Sequence, residues 1–445
     1  MASDQHVWKR YLRGIKIRQD SRIEDFLHAE NIIFTILERV NSVDYRFLVD
    51  YSRDHANFEY SLQTELHELS MEVPLWLDSA ALVLEADCKT PRYELDGVSH
   101  KQTPRQDFCY IGVPKEGSNL EQWSSGGIFH ETTSSSCRGH IVPGKLVKLL
   151  KELIVAAIVY CRQTEQIKPG DVNATLLSKD SAQIPLQVRC GSKMIQFNIT
   201  PKITRVKTNL AIDLNHRGKN LPKGALQDVL SEGADLIAAS YYHWRHCFSR
   251  PLWKLLKNFD SVKGYHLDAL CLLDRVNTVH WREDGQKLGL TFQHLQTILL
   301  WAASFFLSPE DWQELSSAVY RLLVVLIRCL AMSKLPSFLY PHINLFQDEN
   351  IDLKPLYWKV LEFANCPEQF LHLHVTHMVK TTKQRMDTYA QTVLETPDQT
   401  GELWSTAYFD VLLSKFQEYH IQDAARTATM KETWLKIGGM DEDKK

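Results

Sequence analysis

The sequence predicts an α+β protein with a mixed α/β N-terminal lobe and an all-helical C-terminal lobe. Up to about residue 240, short alternating apolar segments are interspersed with helical ones, whereas beyond it every apolar pattern has helical spacing. Because strands and helices segregate along the chain, we divide it into residues 1–240 and 241–445. A segment rich in Pro, Gly, Ser and charge at about 88–136 is expected to be a loop-rich insertion.

The N-terminal lobe is predicted to open with a long amphipathic helix. Ser21 and Glu24 have the spacing of a capping box, and the apolar residues after them recur at helical intervals, so we expect a helix over about 20–43. Strands are expected near 46–50, 70–77, 80–85 and 108–113, a second helix at 140–161, and a hairpin that turns at Gly191-Ser192.

Helices alone are predicted for the C-terminal lobe. The apolar periodicity indicates helices at 241–258, 266–278, 291–307, 309–333, 352–364, 367–382, 385–395 and 403–418.

Composition excludes several classes of protein. The chain has 445 residues, 44% hydrophobic and 24% charged, which is ordinary for a globular protein. A formal charge of -3 gives no general attraction to nucleic acid, so we do not expect nucleic-acid binding. Neither a signal-peptide pattern nor a run of about 18 apolar residues is present, so we expect an intracellular protein, cytoplasmic and/or nuclear, without a membrane segment. The nine cysteines form no CxxC pair, which disfavours disulfides and a zinc ribbon.

Four stretches in the second half of the chain resemble the Mab-21-like family, whose nucleotidyltransferase fold is shared with the cyclic GMP-AMP synthase of DNA sensing. These are GADLIA at 233–238, WRHCFS at 244–249, LTFQHLQTILLWA at 290–302 and LPSFLYPHINLF at 335–346. The helix at 20–43 is similar to the family's spine helix, so the resemblance extends over nearly the whole chain. It implies a bilobal nucleotidyltransferase fold.

The resemblance also implies where a metal site would lie. Active relatives clamp two divalent ions with two acids at i and i+2 on one strand and a third acid on a neighbouring strand. The corresponding positions here are Ser70, Glu72 and Asn198, so one carboxylate remains. Because serine and amide oxygens are neutral ligands, we do not expect tight two-metal binding, and we interpret Glu72 as a solvated or salt-bridged strand residue.

Neighbouring acids do not replace the missing ligands. Glu68 and Asp78 share the strand parity of Glu72, but at about 3.3 Å per residue they lie roughly 13 and 20 Å from it. On the second strand, no Asp or Glu occurs between Asp180 and Asp213. A small error in register therefore supplies no third carboxylate.

Other positions that contact nucleotide in active relatives also differ. Tyr51-Ser52 stands where the family has a phosphate-cradling Gly-Ser turn, Gln296 stands in place of a lysine, and Gly117-Ser118 lies too late in the chain to serve. Arg245 matches an arginine that stacks on a nucleotide base, so either nucleotide binding or an ion pair between the lobes is expected for it.

Metal sites of other kinds are not expected. The zinc thumb of the DNA-sensing relatives needs one His and three Cys, whereas His243, His246 and Cys247 have no cysteine pair nearby. The stretch HLHVTH, from His372 to His377, could present metal ligands at i and i+3, but this pattern is more typical of a partly exposed helix face.

The function predicted from these observations is that of a catalytically inactive nucleotidyltransferase-fold protein. We expect a protein-interaction or adaptor module in intracellular signalling or differentiation, with protein partners and without cofactor or metal. This step relies on analogy at the level of the fold. The alternatives are a nucleotide-binding sensor without turnover and a metal-dependent nucleotidyltransferase.

Overall fold

The computed structural model of the chain has the predicted α+β architecture, with a sheet-rich N-terminal region and a helical C-terminal region. It describes residues 2–52, 56–63, 68–86, 108–114, 120–124, 127–131, 137–174, 182–191, 193–206, 229, 233–282, 289–306, 309–340, 343–347 and 351–365. The predicted helices at 367–382, 385–395 and 403–418, with His372 and His377, lie outside these residues, as do Gly117 and Ser118.

A ten-stranded mixed sheet forms the N-terminal region as described. Its strands are β1 Glu68–Pro74, β2 Val83–Ala86, β3 Phe108–Pro114, β4 Phe129–Glu131, β5 Cys137–Ile141, β6 Val172–Asn173, β7 Ile184–Cys190, β8 Lys193–Val206, β9 Ala234–Ala238 and β10 Trp244–Cys247. The order is β4-β5-β3-β10-β9-β8-β7-β6, with β1 parallel to β8 and β2 antiparallel to β3. The predicted hairpin is confirmed: Gly191 between β7 and β8 has a φ of +59°, a conformation that glycine adopts without steric cost.

The helices described for the chain are α1 Ala2–Lys16, α2 Gln19–Val43, α3 Ala56–Leu62, α4 Pro143–Gln163, α5 Ser249–Asn258, α6 His266–Val276, α7 Phe292–Phe305, α8 Leu315–Ala331 and α9 Leu353–Asn365. The predicted helices at 20–43, 140–161, 266–278, 291–307 and 352–364 are thereby confirmed to within a few residues. Within the described part of the chain, every helix is too short or too polar to cross a lipid bilayer.

One face of the sheet is covered by α2 and α4. Alternate residues of β1, namely Leu69, Met71 and Val73, are buried against the apolar stripes of these two helices. Because side chains alternate along a strand, Ser70 and Glu72 project from the opposite face. The candidate site therefore lies on the face of the sheet that the two helices leave uncovered.

The helices of the C-terminal region form a second apolar core around α8, whose residues are nearly all buried. Helix α1, which the sequence analysis did not predict, belongs to this core through Trp8, Tyr11, Leu12 and Ile15. The division at residue 240 stays a prediction.

Three predicted elements were wrong. Residues Trp244–Cys247 are strand β10 and not the start of a helix, because they pair with β9 and β3, which are distant in sequence. The segment 46–50 contributes only an isolated bridge between Phe47 and Leu75. The helix predicted at 309–333 is split, since a 3-10 turn at Pro309–Trp312 precedes α8. The seven described cysteines are buried and free of disulfides.

Candidate functional site

The three positions predicted to correspond to metal ligands lie together on the uncovered face. Strands β1 and β8 run parallel, with Ser70 directly opposite Asn198 and Glu72 opposite Thr200. Asn198 accepts a hydrogen bond from Gln196 Nε2 at 3.0 Å and donates one to Glu68 Oε2 at 3.4 Å. Its amide is therefore held by neighbouring side chains, and Ser70 beside it is exposed.

A buried lysine that the sequence analysis did not consider occupies the centre of this face. Lys202 on β8 is 4% exposed, and its Nζ lies 2.9 Å from Glu72 Oε2 and 3.4 Å from Asp50 Oδ2. Burial lowers the pKa of Lys202, but the charge and hydrogen bond of Glu72, with the charges of Asp235 and Asp50, outweigh burial and raise it above its ordinary value. The lysine is thus a permanent cation at the position of the one remaining carboxylate.

The other groups around Glu72 add no unpaired charge. Asp235 on β9 is 1% exposed and accepts a hydrogen bond from Arg250 at 3.0 Å. The Cys247 Sγ is 3.6 Å from Glu72 Oε1, and burial together with the charge of Glu72 raises the pKa of this thiol to about 12. Cys247 is therefore a neutral thiol at neutral pH.

These residues do not fit a pair of divalent ions. A two-metal centre holds its ions about 3.5–4 Å apart and needs carboxylates on both. A Mg²⁺ ion about 2.1 Å from Glu72 Oε2 would stand beside the Lys202 ammonium, which contacts the same oxygen. Like-charge repulsion in a partly buried site opposes this arrangement.

The segment that corresponds to the phosphate-binding turn is also occupied by side-chain contacts. The backbone N–H and the hydroxyl of Ser52 both donate to Asp50 Oδ1, at 3.1 and 2.6 Å. Although burial raises the pKa of Asp50, the hydrogen bonds from Ser52 and the charge of Lys202 lower it below its usual value. The Asp50 carboxylate thus accepts the hydrogen bond from Ser52 N–H that a phosphate oxygen would otherwise accept.

Tyr51 points away from this turn. Its hydroxyl donates to Glu38 Oε1 at 2.5 Å, and its ring packs against Phe34 with centroids 5.5 Å apart. Positive φ angles at residues other than glycine occur at Glu165 and Ser333 in the described chain, so Tyr51 has an ordinary backbone conformation. The strained glycine-like turn of active relatives is not formed here.

Arg245 lies on the same face as Lys202. Lys202 is opposite Ile237, which is in turn opposite Arg245, and directly paired residues project from one side of a sheet. The residue is half-buried, and no carboxylate of the described residues forms an ion pair with it. Gln296, by contrast, is buried within the helical core.

The residues considered for a zinc thumb do not converge. His243 contacts Tyr110 Oη through Nε2 and Ser240 Oγ through Nδ1, both at 2.8 Å. His246 stacks on Phe248, whereas Cys247 faces Glu72. The three side chains thus contact different neighbours and do not point to one common position.

Comparison with known proteins matches residues 250–361 to the family model described as Mab-21 protein HhH/H2TH-like domain. This part of the chain is therefore similar to the C-terminal domain of Mab-21 proteins. Protein mab-21-like 3 of Danio rerio is 24% identical over 267 residues, which are 58% of this chain and 67% of the relative. Protein mab-21-like 3 of Xenopus laevis is 22% identical over 338 residues, 73% of this chain and 87% of the relative.

The assignment to one branch of the Mab-21-like family stays a prediction. The stretches AENIIFTILERV, MEVPLWLD, AVYRLLVVL and TAYFDVLL are most similar to the branch called protein mab-21-like four. The relatives above carry the name mab-21-like 3, so they support the family and leave the branch untested.

The sequence contained a signal for Lys202. In QFNITPKI the lysine follows Asn198 by four residues, so both project from the same side of the strand. The resemblance to the family concerns carboxylates at metal-ligand positions and gives no reason to expect a cation there. Asp50, immediately before Tyr51, is a carboxylate outside those positions and was not predicted either.

Proposed function

We propose that this Mab-21-like protein is a catalytically inactive nucleotidyltransferase-fold protein that serves as a protein-interaction or adaptor module in intracellular signalling or differentiation. The observation that carries the proposal is the Lys202 ammonium, 2.9 Å from the one carboxylate left at the metal-ligand positions. A fixed cation at this point repels divalent ions, whereas catalysis by this fold requires two of them.

The remaining groups of the cleft support the same proposal. Asp50 takes the hydrogen-bond donors of Ser52, and its negative charge opposes an incoming triphosphate. Both elements of phosphoryl transfer, the metal clamp and the phosphate cradle, are thus replaced by contacts within the protein.

An assay of turnover tests the proposal. The purified chain is incubated with ATP, GTP, CTP and UTP and Mg²⁺ or Mn²⁺, and the products are separated by chromatography. We expect no product beyond the protein-free control. A metal-dependent product that disappears in Glu72→Gln would overturn the proposal.

An exposed aromatic pair supports a role in protein interaction. Tyr45 and Trp76 are 58% and 54% exposed, their rings meet edge to face at 5.3 Å, and Val43 beside them in sequence is 58% exposed. Tyr and Trp carry much of the binding energy of protein interfaces, and such side chains seldom cluster in water without a partner.

Affinity purification from cells tests this part. We expect stoichiometric partners with the wild-type chain and their loss with Trp76→Ser, whereas Lys193→Ala on the exposed part of β8 should keep them. Retention of every partner by Trp76→Ser contradicts a role of this surface.

Arg245 supports a second candidate, a sensor that binds a nucleotide without turnover. A guanidinium on the cleft face without a carboxylate partner among the described residues is suited to stacking on a base. We expect a magnesium-independent rise of the melting temperature with one nucleotide, lost in Arg245→Ala. A flat response to all four nucleotides eliminates the sensor.

A further inference from the structure

A second polar cluster lies on the same side of the sheet, away from Lys202. It consists of Glu85 on β2 and of Cys137 and His140 on β5, and it is separated from β8 by β3, β10 and β9. The Cys137 Sγ is 3.5 Å from Glu85 Oε1 and 3.7 Å from His140 Nε2, and Nε2 is 3.0 Å from Glu85 Oε2. Three potential metal ligands of different chemistry therefore converge on one point.

The local backbone is shaped to bring the three side chains together. Cys137 and His140 are three residues apart and would ordinarily project from opposite faces of β5. The register shifts between Val113 and Pro114 of β3, where Cys137 is paired with Pro114 and Gly139 with Val113. A bulge of this kind places both side chains on one side of the sheet.

Gly112 makes room for the cluster. It is paired with His140, and a Cβ atom at this position would lie 3.0 Å from Cys137 Cβ and 3.1 Å from Cys137 Sγ. A side chain here would require Cys137 to shift by a few tenths of an ångström. Glycine at this position therefore lets the observed arrangement form without that shift.

The separations agree with tetrahedral zinc coordination. Zinc binds sulfur at about 2.3 Å and nitrogen or oxygen at about 2.0–2.2 Å, so its tetrahedral ligands lie about 3.6 Å apart for S/N and S/O and about 3.4 Å apart for N/O. The observed 3.7 Å between sulfur and nitrogen and 3.5 Å between sulfur and Glu85 Oε1 agree with these values, and the 3.0 Å between nitrogen and Glu85 Oε2 is about 0.4 Å shorter. Because the two contacts of Glu85 use different oxygens, the carboxylate has to turn so that one oxygen binds the ion.

Thiol catalysis fits the cluster less well than metal binding. A Cys-His-acid triad uses one ring nitrogen as the base and the other to bind the orienting acid. Here Cys137 and Glu85 both contact Nε2 of His140, and Nδ1 has no hydrogen-bond partner among the described residues. Mutual contact of the thiol, the carboxylate and this one nitrogen is the arrangement of ligands around a shared cation.

The surroundings hold the ligands in place and leave a route of access. Cys137 and His140 are buried, and the His140 ring packs against the ring of Tyr110 with centroids 5.5 Å apart. The Glu85 side chain is 16% exposed, so the cluster opens towards solvent on that side. Fixed rotamers with one open side favour metal binding because little ordering is needed.

We propose that Glu85, Cys137 and His140 form a zinc site with a water molecule as fourth ligand. The thiolate and the carboxylate supply two negative charges that the divalent ion neutralises, and the imidazole binds through Nε2. The site differs in position and residues from the thumb positions His243, His246 and Cys247. It is also independent of the proposed loss of catalysis, since no residue is shared.

Metal content and cobalt spectroscopy of the full chain test the proposal. After removal of metal by a chelator and dialysis against zinc, we expect about one zinc ion per chain by mass spectrometry. With Co²⁺ in place of zinc, we expect the intense visible bands of tetrahedral cobalt and a thiolate charge-transfer band in the near ultraviolet.

Substitutions of the three residues test which side chains bind the metal. Cys137→Ser should abolish the charge-transfer band, and His140→Gln and Glu85→Gln should weaken zinc binding more than about 100-fold, since loss of even an outer-shell partner costs 10–100-fold. Cys161→Ser, at an equally buried cysteine of α4, should change neither.

The wild-type chain decides the question even where a variant does not fold. Binding of less than stoichiometric zinc at micromolar free metal overturns the proposal. A cobalt spectrum without the thiolate band, or one that persists in folded Cys137→Ser, overturns the assignment of the ligands.

Discussion

Lys202 is the residue on which the candidate site depends. Replacing it with Met leaves Glu72 and Asp50 without their cation in a partly buried site, so we expect a loss of about 3 kcal/mol of unfolding free energy. Adding Glu72→Gln to Lys202→Met should restore part of this loss. Urea denaturation measures both effects.

A matched control lies on the same strand. Lys193 also pairs with an aspartate, at 2.6 Å from Asp25, but the two side chains are 60% and 29% exposed. Lys193→Met should therefore cost less than about 1 kcal/mol. Equal losses for Lys193→Met and Lys202→Met would contradict a special role for the buried ammonium.

His294 makes stability depend on pH. Thr291 N donates to its Nδ1 at 3.0 Å, Nε2 faces the Leu345 carbonyl at 3.3 Å, and burial lowers the pKa of the imidazole to about 4. Because the unfolded value is about 6.5, the unfolded chain binds the additional proton between these values. The contribution of His294 to the free energy of unfolding is therefore complete above about pH 6.5. It falls towards pH 4 by up to about 1.4 kcal/mol per pH unit.

The variant His294→Gln tests this pH dependence. Glutamine at the third helical position keeps the capping box with Thr291 but does not titrate. We expect a smaller difference in unfolding free energy between pH 7 and pH 5 than in the wild type, and no change of that difference in the exposed control His28→Gln. An unchanged difference in His294→Gln would show that the buried imidazole does not cause the effect.

At the scale of elements, α1 stabilises the helical core. Trp8 is 3% exposed, and its ring lies 6.2 Å from that of Tyr320 on α8 and 6.5 Å from that of Phe363 on α9. Trp8→Ala should cost about 3–5 kcal/mol because it opens a cavity between three helices. Lys9→Ala, at the exposed neighbour, should change stability by less than about 0.5 kcal/mol. Thermal and urea unfolding measure both.

An element can be predicted from the sequence when its apolar spacing lies within its own residues. The stripe of Trp8, Tyr11, Leu12 and Ile15 has helical spacing, so α1 could have been predicted from the sequence. Strand β10 could not, because WRHC becomes a strand only through pairing with β9 and β3.

The sequence predicted where the candidate site lies but not which side chains form ion pairs there. The resemblance to the family led to Ser70, Glu72 and Asn198, which the structure brings together. The contact between Lys202 and Glu72 joins residues 130 apart in sequence, and neither residue reveals its partner. The same limit applies to Glu85, Cys137 and His140, whose convergence depends on a bulge.

For the whole molecule, the sheet and the helical core are joined along the face that carries the site. Arg250 at the start of α5 binds Asp235 on β9 at 3.0 Å, and Phe248 packs against Tyr340 with ring centroids 4.4 Å apart. Arg250 neutralises Asp235, and Lys202 neutralises Glu72 and Asp50, so the acids of the cleft are paired with cations of the protein itself. A metal-bound triphosphate would have to displace them.

The measurement that tests this account most directly is thermal stability with ATP, GTP, CTP and UTP, each with and without Mg²⁺. Binding at a hundred times Kd stabilises by about 2.7 kcal/mol, so an intact metal site would be visible. We predict no magnesium-dependent shift of the melting temperature for any nucleotide. A magnesium-dependent shift that is lost in Glu72→Gln would contradict the account, because it would show that the carboxylate still holds a metal ion beside Lys202.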